Sequence, residues 1–526
     1  MLRVITDNTD WGRWVDQIHT FLKADLIHLT LDGRPVSGFR SPDSKCLWIR
    51  DHEEITRGAR YLFSDLKSAV EAFAATQSYD GRIFDNVTTT PETKTGEREN
   101  WEKWVRVQVE ADVEYRFVKA AYIAWQSTGD DEWMQALLPQ LDLALQYVMH
   151  HPWRWDPDHQ LIKRAYTIDT WDFDYTAGRT PWLNFDISEH TFWGIFHGDN
   201  SGMVESSGML AALFAYVGDD EKAAYWKEIA QGIAERANKL LFNGRFYTHF
   251  YKLSEVTIDG VDESEQLSLS NPMAIVRGMA TPAIAKAVIE EYQRREQATG
   301  VFAPWWGIHP PFPDGIFGDE KLIGGAYING GIFPMSGAEL ALAAMEYGYE
   351  RYGVTQLRKY MDIVFRTGET YLWYFPDGSP STEETSTSPD ALPTDGWGSS
   401  AMLLAFSEGL AGIKDLGRLF SHVRLAPRWL AADQHTASIE MSYEASGASF
   451  SYQFNHQAAS KVITITVQAD QSLVDLHLLL PEGTRASAVH ANDEPLAFTE
   501  RSIEQSIYVD VGLMVHDSLT LTINYH

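Results

Sequence analysis

Apolar positions fall into two regimes along the chain. From about residue 55 to 415 they recur at helical spacing: Leu62, Leu66, Val70 and Phe73 lie at i, i+4, i+8 and i+11, one face of a helix. Val109, Val113, Phe117, Ala121 and Trp125 repeat that spacing, and Leu137, Leu141, Leu145 and Val148 continue it. From about residue 418 the period drops to two. KVITITVQ alternates strictly, ASIEMSYEASGASFSYQF reads as two strands about the Ser446–Gly447 turn, and DSLTLTINY closes the chain. The pattern predicts a helical domain over 46–417 and an antiparallel β-sandwich over 418–526. Residues 1–45, with IHLTLDGRPV, form an N-terminal segment of one or two short strands.

The helical region is loosely repetitive. AYIAWQSTGDDEWMQALLPQL, LAALFAYVGDDEKAAYWKEIA and EYGYERYGVTQLRKYMDIV each read as helix, short Gly-containing turn, helix. Paired helices repeated in this way build a toroid or a solenoid. Here short turns alternate with long aromatic-rich loops such as 151–204 and 300–335. That alternation suits a closed toroid, with the turns at one end and a pocket built from loops at the other. The class expected is mainly α, with a C-terminal β domain.

Composition narrows the function. A chain of 526 residues is past the size at which one core keeps growing, so a large domain plus a smaller one is expected. A formal charge of −30 argues against nucleic acid and anionic membranes as partners. No apolar run approaches a membrane span, and MLRVITDNTDWGRW lacks the apolar core of a secretory signal, so a cytoplasmic location is expected. Cys46 is the single cysteine, which excludes internal disulfides and cysteine metal clusters. Aromatic residues make up 13% of the chain, many of them in Gly/Pro-rich stretches, and flat rings beside carboxylates suit a carbohydrate partner.

Four stretches carry candidate chemistry. In KCLWIRDHEEITRGARYLF, Arg50 and Asp51 follow Trp48 where a helix begins; they either close the helix start as an ion pair or face a ligand over the Trp48 ring. RAYTIDTWDFDYTAGRTPW interleaves Asp169, Asp172 and Asp174 with Trp171, Phe173 and Tyr175. A carboxyl beside Trp171 and other carboxylates has its pKa raised, as a general acid requires. YLWYFPDGSPSTEETSTSPDALPTDGWGSSAMLLAF holds Glu383, Glu384 and Asp395 in a long loop that leads into an apolar helix. GGAYINGGIFPMSGAELALAAM places Asn329 among glycines that permit close backbone approach.

These motifs resemble the six-hairpin glycosidases, the (α/α)6-toroid group that includes glucoamylases, trehalases and processing glucosidases. LWIRD is similar to the glucoamylase segment whose Arg and Asp hold sugar hydroxyls. DTWD resembles the segment ending in the general acid, with Asp172 where that family has Glu. YINGGIFP and GWGSSAMLLAF resemble a turn and the start of the last barrel helix in several of these families. The resemblance covers about residues 40–415 and implies an (α/α)6 toroid and an inverting, exo-acting α-glycosidase on a small oligosaccharide or glycoside. It implies Asp172 as acid; Glu383, in the Ser/Thr-rich loop, is the favoured base although the resemblance does not supply it. Trp48, Arg50, Asp51, Trp171, Asn329 and Trp397 would bind substrate, with Trp305 and Trp306 further out. No cofactor or metal is implied, although DGIFGDE has the oxygen ligands a calcium ion would use. The chain departs from related families at LWYFPDG, where Trp373 and Tyr374 stand in place of a catalytic Glu, so Glu384 and Asp395 stay open as bases. A phosphorylase, an epimerase using His190, His197 or His309, and a non-catalytic sugar binder stay open as well.

Overall fold

The computed structural model describes residues 1–40, 46–88, 97–99, 103–171, 173–175, 184–382, 384–385 and 394–526. Twelve α-helices lie in these residues. In chain order they are α1 (Asp10–Ala24), α2 (Ile49–Ala59), α3 (Ser68–Ala74), α4 (Val113–Thr128), α5 (Asp131–His150) and α6 (His197–Tyr216). There follow α7 (Asp220–Leu241), α8 (Ser270–Val276), α9 (Pro282–Thr299), α10 (Pro334–Glu346), α11 (Glu350–Thr367) and α12 (Gly396–Leu404).

The even-numbered helices pack in a cycle: α2 on α4, α4 on α6, α6 on α8, α8 on α10, α10 on α12, and α12 back on α2. Burial separates them from the odd-numbered set. Apart from its last residue α10 is buried throughout, as expected of a helix apolar on every side, whereas α7 buries only Trp226, Ile233, Ala237 and Leu241. The repeated GDDE signal explains the pairing. Gly129 ends α4 in the left-handed conformation at φ 68°, and Asp130 then caps α5 by accepting from the Trp133 N–H. The same turn recurs at Gly218 (φ 82°), where Asp219 caps α7 through the Lys222 N–H.

Connection lengths orient the cycle. Links that leave an even-numbered helix are short, as at 129–130, 217–219 and 347–349. Links that enter one are long, as at 75–112, 151–196, 300–333 and 368–395. The long loops therefore converge on the N-termini of the even-numbered helices, at one mouth.

Helix makes up 39% and strand 26%, so the chain combines α and β more evenly than the expected mainly-α class. Ten strands form one sheet, nearly all antiparallel, with a parallel pairing of His422–Leu425 to 473–476. Its centre is the pair Val462–Leu479 and Ser506–Tyr525. Opposite Asp517 and His516 the first of these strands carries one extra residue, Asp470. That bulge switches its buried side chains from Ile463, Ile465 and Val467 to Val474, Leu476 and Leu478, flipping parity. The N-terminal strand Leu2–Thr6 belongs to this sheet, with Leu2 opposite Met441. The rest of the N-terminal segment forms the hairpin Leu26–Leu31/Arg34–Phe39 and a full helix, α1, which packs on α12. Arg424 to Glu346 (2.6 Å) and Ser506 to Glu350 (2.8 Å) tie the sheet to the helices.

Candidate active site

One segment, 164–171, meets the starts of four even-numbered helices. The Arg164 guanidinium donates to both carboxylate oxygens of Asp199 in the first turn of α6 (3.3 Å each) and to the Trp171 carbonyl (2.5 Å). Asp169 accepts from the Ser270 N–H (3.0 Å) and hydroxyl (2.6 Å) at the first residue of α8. It holds this geometry at φ 51°, a left-handed conformation that Asp tolerates better than most residues. The Trp171 ring lies edge-on to Phe333 at the N-cap of α10 (5.4 Å) and to Tyr327 (5.3 Å), and is tilted against Trp397 in the first turn of α12 (6.4 Å).

The remaining two helix starts meet through a charge cluster. Arg50, in the first turn of α2, donates to Asp112, the N-cap of α4, at 2.9 Å and lies 3.0 Å from Glu110. Asp112 also accepts from Arg116 at 2.6 Å. Burial works against the Arg50 cation, but the Asp112 and Glu110 carboxylates outweigh it and raise its pKa. Burial likewise opposes ionised Asp112, and Arg50, Arg116 and Arg164 together hold it below the ordinary carboxylate range. Glu110 goes the other way. Burial pushes its pKa well up against the pull of Arg50, and the adjoining Asp85 carboxylate adds to the rise.

Several expected site residues come together here. Arg50, Trp171 and Trp397 stand at the mouth as described. Trp48 is half-buried against Val107, Val109 and Ala165, beside Arg164, and Asp51 is half-buried in the first turn of α2. Of the two readings of Arg50, the ion pair is the one seen: its Nη2 bonds Asp112, and its buried Nε has no hydrogen-bond partner among the described residues. Asn329 does something else. Its side chain accepts from the Phe312 N–H (2.7 Å) and donates to the Phe312 and Leu322 carbonyls (3.0 and 3.1 Å), latching its own loop. Trp305, bonded to Gln356, and Trp306, stacked on His309, are core residues and not an outer sugar platform.

Asp172 and Glu383, the expected acid and base, lie outside the described residues. Their neighbours can be placed. Asp169 is buried by the α8 contacts above, and Asp174 accepts from the Asn184 amide. Glu384 is exposed, and Asp395 is buried as the N-cap of α12, accepting from the Gly398 N–H at 3.1 Å. Within DGIFGDE, Asp314 and Asp319 accept from the Gly324 and Lys321 N–H groups. His197 and His309 are packed in aromatic stacks, where burial lowers each pKa to about 4. His190 is exposed.

Sequence patterns did not single out Arg164, Asp199, Glu110 or Asp112. The one local signal was Asp112 at a helix-capping position ahead of an apolar run. The Arg164–Asp199 and Arg50–Asp112 pairs join segments 35 and 62 residues apart, beyond any spacing rule.

No protein-family model and no curated sequence matches the chain. Solved structures do. An α-L-rhamnosidase from Dictyoglumus thermophilum superposes with a TM-score of 0.62 at 11% identity, covering 99% of this chain and 50% of that one. A GH78 family rhamnosidase of Bacillus sp. GL1 gives 0.59 at 16% identity, with 92% and 43% covered. GH63 mannosylglycerate hydrolase from Thermus thermophilus gives 0.52 at 13% identity, over 75% of this chain and 100% of that one. The chain thus spans half or less of the rhamnosidases it matches. These neighbours are (α/α)6-barrel glycosidases, and what they share with this chain is the fold. No helix among the described residues is long and apolar enough to cross a membrane.

Proposed function

We propose that the chain is an (α/α)6-toroid glycoside hydrolase that removes a terminal α-linked sugar from a small oligosaccharide or glycoside with inversion. The cyclic packing of α2, α4, α6, α8, α10 and α12 supports the toroid. The observation that carries the functional reading is the fixing of Trp171. Arg164 holds its carbonyl, and the starts of α10 and α12 hold its ring, so the segment that precedes Asp172 in the sequence is fixed at one point of the mouth. That point is flanked by aromatic rings, which disfavour an ionised carboxylate and suit a general acid. In this reading Asp172 protonates the glycosidic oxygen, and Glu383 takes a proton from a water on the opposite face of the ring. The two carboxyl groups would then stand roughly 6.5–9.5 Å apart, leaving room for that water. Trp48, Arg50, Asp51, Trp171 and Trp397 line the site of the departing sugar, and Asn329 shapes its rim by holding loop 312–329.

The test is an activity screen over α-linked gluco-, manno- and rhamnosides, with proton NMR of the first-formed anomer. Inversion and loss of activity in Asp172→Asn are expected. A retained anomer, or full activity in Asp172→Asn, overturns the mechanism. Turnover that needs phosphate would make the enzyme a phosphorylase.

A further inference from the structure

A cleft of about 980 Å³ lies where the sheet meets the C-terminal ends of α8 and α10. It is not the mouth. Helix α10 begins at the mouth and ends in the cleft wall with Glu346, about 20 Å away at 1.5 Å per residue. The volume falls in the range of small-molecule sites, roughly 300–1,000 Å³.

Three features of the wall narrow what it takes. First, most of its charges come in pairs: Glu346 with Arg424 (2.6 Å), Asp510 with Arg501 (3.0 Å) and Glu408 with Lys414 (3.6 Å), while the remaining carboxylate, Asp475, bonds His422 (2.7 Å). A free anion or cation would meet a like charge in every pair, whereas a hydroxyl can accept from one partner and donate to the other. Second, the wall holds a fixed imidazole, His477. It is buried, its ring stacks on Tyr508 at 3.9 Å, and its Nδ1 bonds Asp510 at 2.5 Å. Its Nε2 has no hydrogen-bond partner among the described residues. Third, the half-exposed rings of Phe498 and Tyr347 line the same cleft and supply apolar faces.

Paired charges, a fixed imidazole and apolar ring faces together match the alternating C–H faces and hydroxyl edges of a sugar chain. We infer that this cleft is a second carbohydrate site, which holds a neutral oligosaccharide remote from the mouth. The inference rests on the carbohydrate reading above and adds to it a binding locus outside the reaction centre.

Isothermal titration with α-linked gluco-, manno- and rhamno-trisaccharides tests it on the full chain, in an Asp172→Asn background that limits turnover. Two binding events are expected with the trisaccharide that fits. The double change Arg501→Ala/Phe498→Ala should weaken one of them at least about tenfold, the scale of losing well-placed contacts. Trp397→Ala should weaken the other. The Arg501 side chain is 67% exposed, so the double variant is expected to fold; should a thermal melt show otherwise, Arg501→Gln alone repeats the measurement. A single event that Trp397→Ala removes and the cleft changes spare overturns the second site and leaves the glycosidase reading intact. Absence of any binding to the parent protein overturns both.

Discussion

Arg50 is the sharpest point at which to test the mouth. Replacing it with Met keeps most of the apolar stem and removes the guanidinium. The Asp112 carboxylate then loses a 2.9 Å partner and Glu110 a 3.0 Å neighbour, in a site where Arg50 is only 9% exposed. Breaking a buried pair from one side costs about 3–5 kcal/mol. Asp112 keeps Arg116 at 2.6 Å, so the low end, about 3 kcal/mol, is expected. Urea denaturation of Arg50→Met, Asp112→Asn and the double variant measures the coupling between the two residues directly. The pH dependence has a definite sign. Asp112 is held below its ordinary value of 3.8, so its ion pairing stabilises the fold above that pH and is lost as pH falls. Without Arg50 its pKa climbs, and a protonated carboxyl needs no cation. The deficit of Arg50→Met should therefore hold above about pH 4 and shrink as the pH falls below it. A deficit below about 1 kcal/mol that is flat with pH, with no coupling to Asp112, would refute the ion pair. If KM rose at the same time, the guanidinium would face the sugar instead.

Further expectations are equally open to measurement. Ser270→Ala removes the 2.6 Å hydroxyl bond to buried Asp169 and should cost about 1.5–3 kcal/mol in urea denaturation, against near-neutral effects at exposed serines. Asn329→Ala should lower stability by about 1–3 kcal/mol by orphaning the groups it latches; unchanged stability with a raised KM would place the amide on the substrate. Asp172→Asn should slow turnover about 10²–10⁴-fold, most for substrates with poor leaving groups, and an equal loss across leaving groups would argue against its role as acid. Arg428 and Arg424 overcome burial and hold Glu346 down to about 2, from an ordinary 4.5. Its stabilising contribution is complete above about pH 4.5 and fades toward pH 2, so the deficit of Glu346→Gln should fade likewise on acidification.

The helical hairpins were legible because their turns are local. Gly129 and Gly218 supply left-handed caps, and the aspartates after them open the next helix, all within four residues of sequence. The C-terminal strands were legible through their period of two. Helix α1 was overlooked although Trp11, Trp14, Val15, Ile18, Phe21 and Leu22 follow helical spacing, because the adjacent IHLTLDGRPV hairpin dominated that segment. The pairing of Leu2–Thr6 with Thr436–Ser442 joins the two ends of the chain, and no periodicity reports such a contact. At the mouth, Trp171 and Trp397 stood out because aromatics beside carboxylates are conspicuous in one dimension. Asn329 stood out for the wrong reason. Its flanking glycines serve the loop's own turn: Gly330 sits at φ 101°, and a Cβ at Gly331 would lie 2.4 Å from the Tyr327 carbonyl oxygen.

The mouth also continues inward. Arg116, which holds Asp112, reaches Glu53 and Glu54 at 2.7 Å each; Glu54 holds Arg57 at 2.8 Å, and Arg57 reaches Glu339 of α10 at 2.5 Å. Lys119 links Glu53 to Glu205 of α6. Charges from α2, α4, α6 and α10 thus line the interior of the ring, where apolar side chains would fill the same space. Buried ion pairs are weak evidence for stability, since well-packed apolar replacements often match them. What apolar replacements cannot do is keep Asp112 ionised beside Arg50. A buried carboxylate stays charged only while cations are held near it, and Arg116 is fixed in turn by Glu53 and Glu54. On this argument the ionic interior belongs to the mouth: it sets the charge state of the groups around the Trp171 segment before any substrate arrives, and an electrostatic site acts most strongly when its charges are fixed in advance.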